Sequence, residues 1–312
     1  MSGSTIPWAI ALHGGAGQMA PGTLSPQDDA IARAGLAAAL EAGMRVLRAG
    51  GAALDAVTAA VVVLEDDPAF NAGRGAVLSY NGEVELDAAV MDGASQGAGA
   101  VAGVSHVRNP VKLARTVMEA GPHVFLAGEG AEEFALSHGL EAADPDWFIT
   151  PARRLQWEEF SARPDGWFDA SLKYGTVGAV ARDSAGHLAA ATSTGGLTGK
   201  RWRRIGDSPV IGAGTWAQDG AVAVSATGSG EVFIRLGAAH EIAARVRLAG
   251  NSAEEAAAAV IAEVGSLGGE GGVIYVGADG EPGFAFNTPG MYRARASEGG
   301  AAGAAIFSSE KL

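Results

Sequence analysis

The chain has 312 residues, a formal net charge of −13 and no cysteine. Its length and its 48% hydrophobic content suffice for one large domain or two small ones with a sizeable core. The negative charge argues against nucleic acid or an anionic membrane as the main partner. The lack of cysteine excludes disulfides and thiolate metal sites and fits a reducing cytoplasm.

The apolar segments are short. The N-terminal stretch "MSGSTIPWAIALHGGAG" lacks a basic leader, and its apolar run is too short for a signal peptide. The longest apolar run, Ala56–Leu64, falls short of the roughly 20 residues that a membrane span needs. We therefore expect a cytoplasmic protein.

In the first third, local signals predict a strand followed by helices. "PWAIALHGGAG" predicts a strand that enters a glycine-rich loop. Ser25 as cap, Pro26 at the first position and Asp28 in a capping box predict a helix that ends at Gly50-Gly51. Further elements are predicted as a helix over 53–64, a hairpin about Asn81-Gly82, a strand in "GAVAGVSHV", and helices near 111–120 and 130–137.

Residues 139–175 differ in composition from the rest of the chain. They hold three prolines, many charges and three of the six tryptophans. We interpret them as a linker-like, partly helical segment, because such a long loop inside a domain is usually functional or disordered. Beyond it, strands are predicted at 176–182, 187–194 and 221–227, helices at 230–248 and 252–264, and a hairpin in "GGVIYVGADGEPGFAFNT". Antiparallel hairpins without strict βαβ alternation favour antiparallel sheets with helices packed outside.

One of these hairpins places two hydroxyls together. In "YGTVGAVARDSAGHLAAATSTGG" the turn "DSAG" begins at Asp183 and favours a three-residue loop, so Asp183 faces His187. Counting outward, Thr176 then faces Thr194, with Cβ atoms ~5 Å apart. A two-residue loop would instead place Thr176 opposite Ser193, so a second hydroxyl lies beside Thr176 in either case. This is either an ordinary cross-strand pair or a reactive hydroxyl, and Gly175 before it would tolerate strained backbone.

Several longer motifs occur in the order of one family. "ALHGGAG", "FNAGRGAVLSYNGEVELDAAVMDG", "TSTGGLTGKRWRRIGDSP" and "VSATGSGEVFIR" together resemble the plant-type asparaginase and isoaspartyl peptidase family. This family belongs to the N-terminal-nucleophile hydrolases. The resemblance covers nearly the whole chain and implies a four-layer αββα sandwich, an α+β fold.

The resemblance also implies self-cleavage at the Gly175–Thr176 bond. The Thr176 hydroxyl would then be the nucleophile and its freed α-amine the base, since a threonine hydroxyl is a weak nucleophile without an adjacent base. An α-amine has a pKa of about 7.7–8.0, which suits this task. The product would be an N-terminal subunit of residues 1–175, with a linker at about 140–175, and a C-terminal subunit of residues 176–312.

Other positions acquire roles by the same resemblance. Thr194 would tune the nucleophile, Asn71 would support its amine, and Thr227 with Gly228 would form an oxyanion hole. Arg204 would bind the substrate α-carboxylate and Asp207 the α-ammonium. A loop whose carbonyls bind a structural sodium ion would comprise Leu64, Glu65, Asp67, Phe70, Ala72 and Arg74.

The implied substrates are L-asparagine and β-aspartyl dipeptides, and the implied assembly is a dimer of cleaved heterodimers. No cofactor is needed for the chemistry. The six histidines are scattered, so each is interpreted as structural or at the surface, and metal chemistry is not expected. Two departures bear on substrate preference: Gly199, where the family often has Asn and where the loop would loosen, and Trp216, where Tyr is frequent.

Alternatives remain at the level of sequence. "TGSGE" also fits a strand–loop–helix connection or a phosphate-binding nest, "KRWRR" a solvated basic turn, and Asn71 an ordinary turn residue. A glycosylasparaginase-like amidase is a second possibility, although "YGT" differs from that group's Asp-Thr junction. Ser95 in "GASQG" matches the serine nucleophile motif, which requires a helix immediately after it. A glycine-rich binding domain without activity is the non-enzymatic alternative.

Overall fold

The computed structural model describes residues 7–163 and 175–312, and in these residues it contains twelve strands and nine helices. The strands are β1 (Ala9–Gly17), β2 (Leu86–Asp92), β3 (Ala98–Val104), β4 (Phe125–Ala127), β5 (Val177–Arg182), β6 (Leu188–Thr194), β7 (Thr215–Gln218), β8 (Val222–Gly228), β9 (Gly271–Gly277), β10 (Pro282–Phe286), β11 (Gly290–Ser297) and β12 (Gly303–Phe307). The helices are α1 (Pro26–Arg48), α2 (Ala53–Asp66), α3 (Pro110–Ala120), α4 (Gly128–Ser137), α5 (Pro145–Phe148), α6 (Pro151–Ser161), α7 (Gly230–Leu236), α8 (Ala238–Ala249) and α9 (Ala253–Ser266).

The strands form two sheets. The larger sheet has the order β12-β11-β1-β5-β6-β2-β3-β4, and the smaller has the order β10-β9-β8-β7. Neighbouring strands are antiparallel except for the short β3–β4 pair. At the centre of the larger sheet, β1 and β2, which precede residue 175, flank β5 and β6, which follow it.

Three apolar clusters define four layers. One joins α1, α2 and α3 to the outer face of the large sheet, for example through Leu36, Val61 and Leu12. A second lies between the sheets, where Val180 meets Ile274. The third joins the small sheet to α7, α8 and α9. This is the predicted αββα arrangement. Side chains alternate between the two faces of each strand, so a sheet with apolar residues on both faces needs a packed layer on each side.

Most predicted elements are present, and the helix caps follow the sequence signals. The Ser25 side chain accepts from the backbone N–H of Asp28 at the start of α1, but the predicted capping box does not form, because the Asp28 carboxylate accepts from the Ser25 hydroxyl. Ser252 and Glu255 form a capping box at the start of α9. The strands β4, β7, β11 and β12 were not predicted; the last two extend the large sheet beyond β1.

The hairpin predicted about Asn81-Gly82 is wrong. A turn exists there, with Gly82 N–H donating to Ser79 O at 2.9 Å, but residues 77–85 form no strand. The reason is tertiary: Leu78 O accepts from Gly199 N–H at 2.8 Å, and Tyr80 N–H donates to Lys200 O at 2.9 Å. These backbone groups are bound to another loop, so the ladder begins only at β2.

The single helix predicted over 230–248 is also wrong, because it is two helices. Gly237 adopts a left-handed conformation with φ 57° and ends α7. The first backbone N–H groups of α8 then bond to a neighbouring loop, from Ala239 to Ala213 O and from His240 to Gly212 O. Glycine accepts this conformation at no steric cost, so the chain turns here.

The linker prediction lies partly outside the described residues, since 164–174 are not among them. Its first half contains α5 and α6, and the side chains of Phe148 and Phe160 are buried. Among the helices of the described residues, none is long and apolar enough to cross a membrane.

Candidate active site

The hairpin of β5 and β6 brings two threonine hydroxyls together. Its pairs run from Arg182 opposite Leu188 to Val177 opposite Ser193, which places Thr176 opposite Thr194. The Thr176 hydroxyl donates to Oγ1 of Thr194 at 3.1 Å. The predicted register is confirmed. It follows from the turn, where Gly186 takes φ 90° and its N–H donates to Asp183 O at 3.0 Å.

The bond before Thr176 lies against the glycine-rich loop. Gly175 has φ 47°, and a Cβ there would lie 2.3 Å from Gly14 O. Likewise, a Cβ on Gly15 would lie 2.1 Å from the Gly175 Cα. Both backbones approach so closely that a side chain at either position would collide with main chain. The glycine that the sequence places before Thr176 is therefore required for contact with this loop.

A third hydroxyl reaches Thr176. The Oγ of Ser208 lies 3.4 Å from the Thr176 Oγ1. Ser208 directly follows Asp207 in the chain, and both are buried. The predicted nucleophile thus contacts the residue that follows the predicted ammonium-binding Asp207 in the chain.

His13, in the middle of β1, contacts the backbone of Thr176. Its Nδ1 lies 3.0 Å from the Thr176 carbonyl oxygen, and its Nε2 lies 2.9 Å from Oγ of Ser225. Burial lowers the pKa of His13 to about 3, so the ring is neutral. A carbonyl oxygen only accepts, so Nδ1 carries the hydrogen and Nε2 accepts from Ser225.

Buried hydroxyls continue from Ser225 across the two sheets. Oγ of Ser225 lies 2.7 Å from Oγ1 of Thr192, which in turn lies 2.7 Å from Oγ1 of Thr215. Each hydroxyl has one hydrogen, and all three bonds form when every hydrogen points towards His13. Thr215 also lies 3.0 Å from the Ser208 carbonyl oxygen. When the Thr215 hydrogen points towards Thr192, none is left for this carbonyl oxygen, so the hydrogen-bonded chain runs from His13 to Thr215 and ends there.

Asn71 holds the loop that follows Thr194. Its Nδ2 donates to Gly196 O at 2.8 Å, and its Oδ1 accepts from Val77 N–H at 2.9 Å. Thr194 Oγ1 accepts from Gly196 N–H at 3.0 Å. Both hydrogen bonds of the Asn71 side chain thus go to backbone groups around the site, not to Thr176.

The segment predicted as an oxyanion hole lies at the end of β8. Thr227 is buried and follows Ser225 by two residues in β8, so both side chains lie on the same face of the strand. Because Ser225 contacts His13 of the large sheet, Thr227 also faces that sheet. Gly228 has φ 146°, and a Cβ there would lie 2.3 Å from Glu270 O. Helix α7 begins two residues later, so the Thr227 hydroxyl and the Gly228 N–H lie where a strand ends before a helix.

Arg204 and Asp207 approach the same point. A Cβ on Gly230 would lie 2.7 Å from Nη2 of Arg204 and 2.9 Å from Oδ1 of Asp207. Arg204 binds Glu231 with both Nε (2.8 Å) and Nη2 (2.9 Å). Oδ2 of Asp207 is buried and has no hydrogen-bond partner. The pair therefore presents a guanidinium and a free carboxylate oxygen.

Burial raises the pKa of Asp207 to about 7, and the nearby Arg204 opposes this rise. Glu231 and Asp87 add to it, because each is a further negative charge close by. An incoming ammonium group would supply the missing opposite charge and favour the ionised carboxylate.

The predicted cation loop after α2 is tightly closed by backbone. Arg74 N–H donates to Glu65 O at 2.7 Å. A Cβ at Gly75 would lie 2.5 Å from Pro68 O and 2.8 Å from Phe70 O. Converging main-chain oxygens are donors that suit a hard cation such as sodium. The side chains of the described residues form no cluster of three or more His, Cys, Asp or Glu that could hold a metal.

Glu65 in this loop has a second, buried role. Its Oε1 accepts from Ser193 Oγ at 2.6 Å and from Val111 N–H at 2.9 Å. Burial raises its pKa to about 8, with hydrogen bonds from Ser193 and Val111 opposing the rise. The carboxyl group thus ties α2 and α3 to the outer face of β6, beside Thr194.

Ser95 does not match its alternative role. It lies in the turn between β2 and β3, and a strand follows it instead of the helix that the motif needs. Its hydroxyl donates to Oδ2 of Asp92 at 2.5 Å, which closes the turn.

The two departures from the family pattern have structural counterparts. Gly199 has φ 73°, and a Cβ there would lie 2.2 Å from the ring of Phe160. An aromatic side chain from α6 thus packs where the family's Asn would project, so the predicted loosening of this loop is wrong. The Trp216 ring packs edge-on against His240 at 4.7 Å between centroids.

Sequence reasoning missed four residues of this region. They are His13, Ser208, Glu231 and Lys200, whose buried Nζ donates to Glu85 O at 2.8 Å. The motifs that contain them were quoted, but single hydroxyl, imidazole and carboxylate groups gave no spacing signal of their own. Only the contact between the two sheets brings them together.

Comparisons with known proteins agree with the motifs. The asparaginase family model matches residues 6–306. The isoaspartyl peptidase of Salmonella typhimurium is 51% identical over 295 residues, covering 91% of this chain and 94% of that protein. The isoaspartyl peptidase of Escherichia coli is 50% identical, with 91% of each chain covered. The human isoaspartyl peptidase/L-asparaginase is 42% identical and covers 87% of each.

Proposed function

This chain belongs to the asparaginase family of N-terminal-nucleophile hydrolases, and on that basis we propose that it hydrolyses L-asparagine and β-aspartyl dipeptides after cutting its own chain before Thr176. Both substrates carry the same aspartyl group, with a free α-carboxylate and α-ammonium. The relatives that are named isoaspartyl peptidase, or isoaspartyl peptidase/L-asparaginase, support this substrate class over glycosylated asparagine.

One observation carries the proposal. The Thr176 hydroxyl lies between Thr194 and Ser208, and Ser208 adjoins the buried, half-bonded carboxylate of Asp207. The nucleophile therefore contacts the residue next to the proposed ammonium-binding group, and Arg204 and Asp207 both lie close to Gly230. This arrangement supports an amino acid with a reactive side-chain amide as the substrate.

In the first chemical event, Oγ1 of Thr176 attacks the Gly175 carbonyl carbon. The hydroxyl proton passes to the leaving nitrogen, the C–N bond breaks and frees the Thr176 α-amine, and an ester forms on Oγ1. Water then hydrolyses this ester and releases the Gly175 carboxylate and the Thr176 hydroxyl. In each later turnover the α-amine accepts the hydroxyl proton while Oγ1 attacks the substrate's side-chain carbonyl. Ammonia or an amino acid leaves, and water hydrolyses the aspartyl ester.

Two groups would stabilise the charge that develops on the carbonyl oxygen. The Thr227 hydroxyl and the Gly228 N–H can donate to an oxyanion, and a rigid donor in a buried site acts without reorganisation. Thr194 would hold the orientation of Oγ1, and Asn71 would act through the loop at Gly196.

Three further features belong to the proposal. Main-chain oxygens of the loop from Leu64 to Arg74 would hold a structural sodium ion, which fixes the loop that carries Asn71. The cleaved molecule would assemble as a dimer of heterodimers. The lack of cysteine fits function in a reducing cytoplasm.

The test combines chain analysis with ammonia release. The parent should yield pieces of 175 and 137 residues, the second being 312 minus 175, with the new N-terminus Thr-Val-Gly-Ala. Thr176→Ala should neither split nor release ammonia from asparagine. Ser95→Ala is the matched control and should do both. A different new N-terminus, or ammonia release by Thr176→Ala, would show that the nucleophile is elsewhere.

A further inference from the structure

The imidazole of His13 is fully buried against the backbone of the nucleophile, and the reaction above gives it no role. Its Nδ1–H donates to the Thr176 carbonyl oxygen at 3.0 Å. We propose that His13 is a positioning residue: by holding this carbonyl, it fixes the Cα that carries both the hydroxyl and the α-amine of Thr176. The inference rests on the proposed function, because it assigns His13 to the same site.

The need for such a group arises when the chain is cut. In the intact chain Thr176 is held on both sides, by the peptide to Gly175 packed on Gly14 and Gly15, and by the peptide to Val177 at the start of β5. Cleavage removes the first of these restraints. Thr176 is then a chain end, held by one peptide bond and by the hydrogen bonds of its carbonyl and hydroxyl groups.

Hydrogen bonds at both ring nitrogens fix the orientation of the His13 imidazole. Nε2 accepts from Ser225 at 2.9 Å, so both nitrogens are bonded and only one tautomer satisfies them. Gly178, two residues after Thr176, leaves the room for this contact. A Cβ on Gly178 would lie 2.4 Å from Nε2 of His13 and 2.1 Å from Oγ of Ser225. The strand that begins with the nucleophile thus lacks a side chain where the ring meets Ser225.

Two substitutions separate the two sides of the ring. In His13→Asn, the amide nitrogen can take the place of Nδ1 and donate to Thr176, while the bond to Ser225 is lost. In His13→Gln, the amide reaches the position of Nε2 and keeps the Ser225 contact, while the donor to Thr176 is lost. Both are neutral and both leave a gap, so they should lower the unfolding temperature alike.

Their kinetics should differ. We expect His13→Asn to keep kcat for asparagine within about three-fold of the parent. His13→Gln should lose roughly ten- to a hundred-fold in kcat, because a small misplacement of a reacting group costs rate on that order. KM should stay within about two-fold in both, since His13 does not touch the substrate. Both should still split completely at Thr176, because the intact chain holds that residue from both sides.

Several outcomes would overturn this inference. One is an equal loss of kcat in the two variants, another is a rise in KM that accounts for the loss, and a third is His13→Gln with parental kcat. If neither variant accumulates as folded protein, Ser225→Ala carries the test: it leaves the bond to Thr176 in place and should keep kcat within about three-fold. The parent is assayed alongside; only its failure to split and release ammonia would reject the proposed function itself.

Discussion

Asp207 is subject to two opposing effects at the scale of a single residue. Its carboxyl group is buried with Oδ2 unbonded, which favours the neutral acid and raises its pKa to about 7. The proposed substrate needs the ionised form, because only a carboxylate can hold an α-ammonium group strongly. Ionisation of Asp207 is therefore unfavourable in the empty site and is favoured when a positively charged ligand binds.

This predicts a pH dependence of KM. An acid with a pKa of about 7 is mostly protonated below that pH, so the fraction of competent enzyme falls as the pH falls. Because apparent affinity scales with that fraction, KM for asparagine should rise roughly ten-fold from pH 8 to pH 6. Steady-state kinetics across this range measure it, with the parent's unfolding temperature as a control for integrity. A KM that is constant between pH 6 and 8 would contradict the assignment of Asp207.

Glu231 limits the access of a substrate carboxylate to Arg204. It occupies two donors of the guanidinium, yet its own side chain is 57% exposed, so the ion pair is weak. Its charge also raises the pKa of Asp207. In Glu231→Gln the guanidinium should bind a substrate carboxylate more readily, and KM for asparagine should fall by up to about five-fold with kcat unchanged.

Glu241→Gln is the matched control for that experiment. Glu241 forms a similar exposed ion pair with Arg245, on α8, and should leave KM unchanged when neutralised. A higher KM in Glu231→Gln would mean that Glu231 orients Arg204 instead of competing for it.

At the scale of elements, α6 is coupled to the loop that precedes Arg204. The ring of Phe160 fills the space beside Gly199, whose N–H donates to Leu78 O at 2.8 Å. The same loop bonds to the segment before β2, which is why that segment forms no hairpin. One aromatic side chain from α6 thus supports the loop that leads to Arg204.

A double-mutant cycle tests this coupling. Gly199→Asn should destabilise the parent by steric collision with Phe160, and Phe160→Ala alone should cost about 3–5 kcal/mol of unfolding free energy. In the double variant the collision is absent. Its loss of unfolding free energy should therefore be smaller than the sum of the two single losses by about 0.5–3 kcal/mol. Urea unfolding measures each free energy. Gly130→Asn, at an open position on α4, should add independently to Phe160→Ala. Additivity in the Gly199 cycle as well would contradict the packing argument.

At the scale of the whole molecule, the proposed cut before Thr176 would not separate the two parts of the fold. In the large sheet β5 pairs with β1, and β6 pairs with β2. Strands from the two parts are therefore interleaved, and their hydrogen bonds and apolar contacts do not depend on the peptide bond at 175. We expect cleavage to free one amine and one carboxylate and to leave the layers intact.

We therefore predict that the processed parent stays associated. The pieces of 175 and 137 residues should separate on a denaturing gel and elute together under native conditions, at the same volume as uncleaved Thr176→Ala. Size-exclusion chromatography followed by gel analysis of the fractions checks this. Separate elution of the two pieces without denaturant would show that the interleaved sheet does not hold them.

Local chemistry determined much of this protein from its sequence. The cap at Ser25, the helix after Gly51 and the turn at Asp183 depend on neighbours within a few residues, and each is where the pattern predicted it. The same holds for the opposition of Thr176 and Thr194, since a hairpin turn sets the register of its own strands. The family's motifs added roles for Arg204, Asp207 and Thr227, which geometry is consistent with and experiment must test.

Tertiary structure alone decided the rest, because its determinants lie far apart in the chain. The segment at Asn81 carries a hairpin signal, but backbone groups near residue 200 bind it instead. The sequence around Gly199 predicted a loose loop, but in the structure the ring of Phe160 fills the space beside this glycine. His13 gave no spacing signal and was interpreted as structural, and its contacts with Thr176 and Ser225 span 163 and 212 residues. Contacts of this range form only when the two sheets pack, and no local pattern encodes which buried polar groups will then meet.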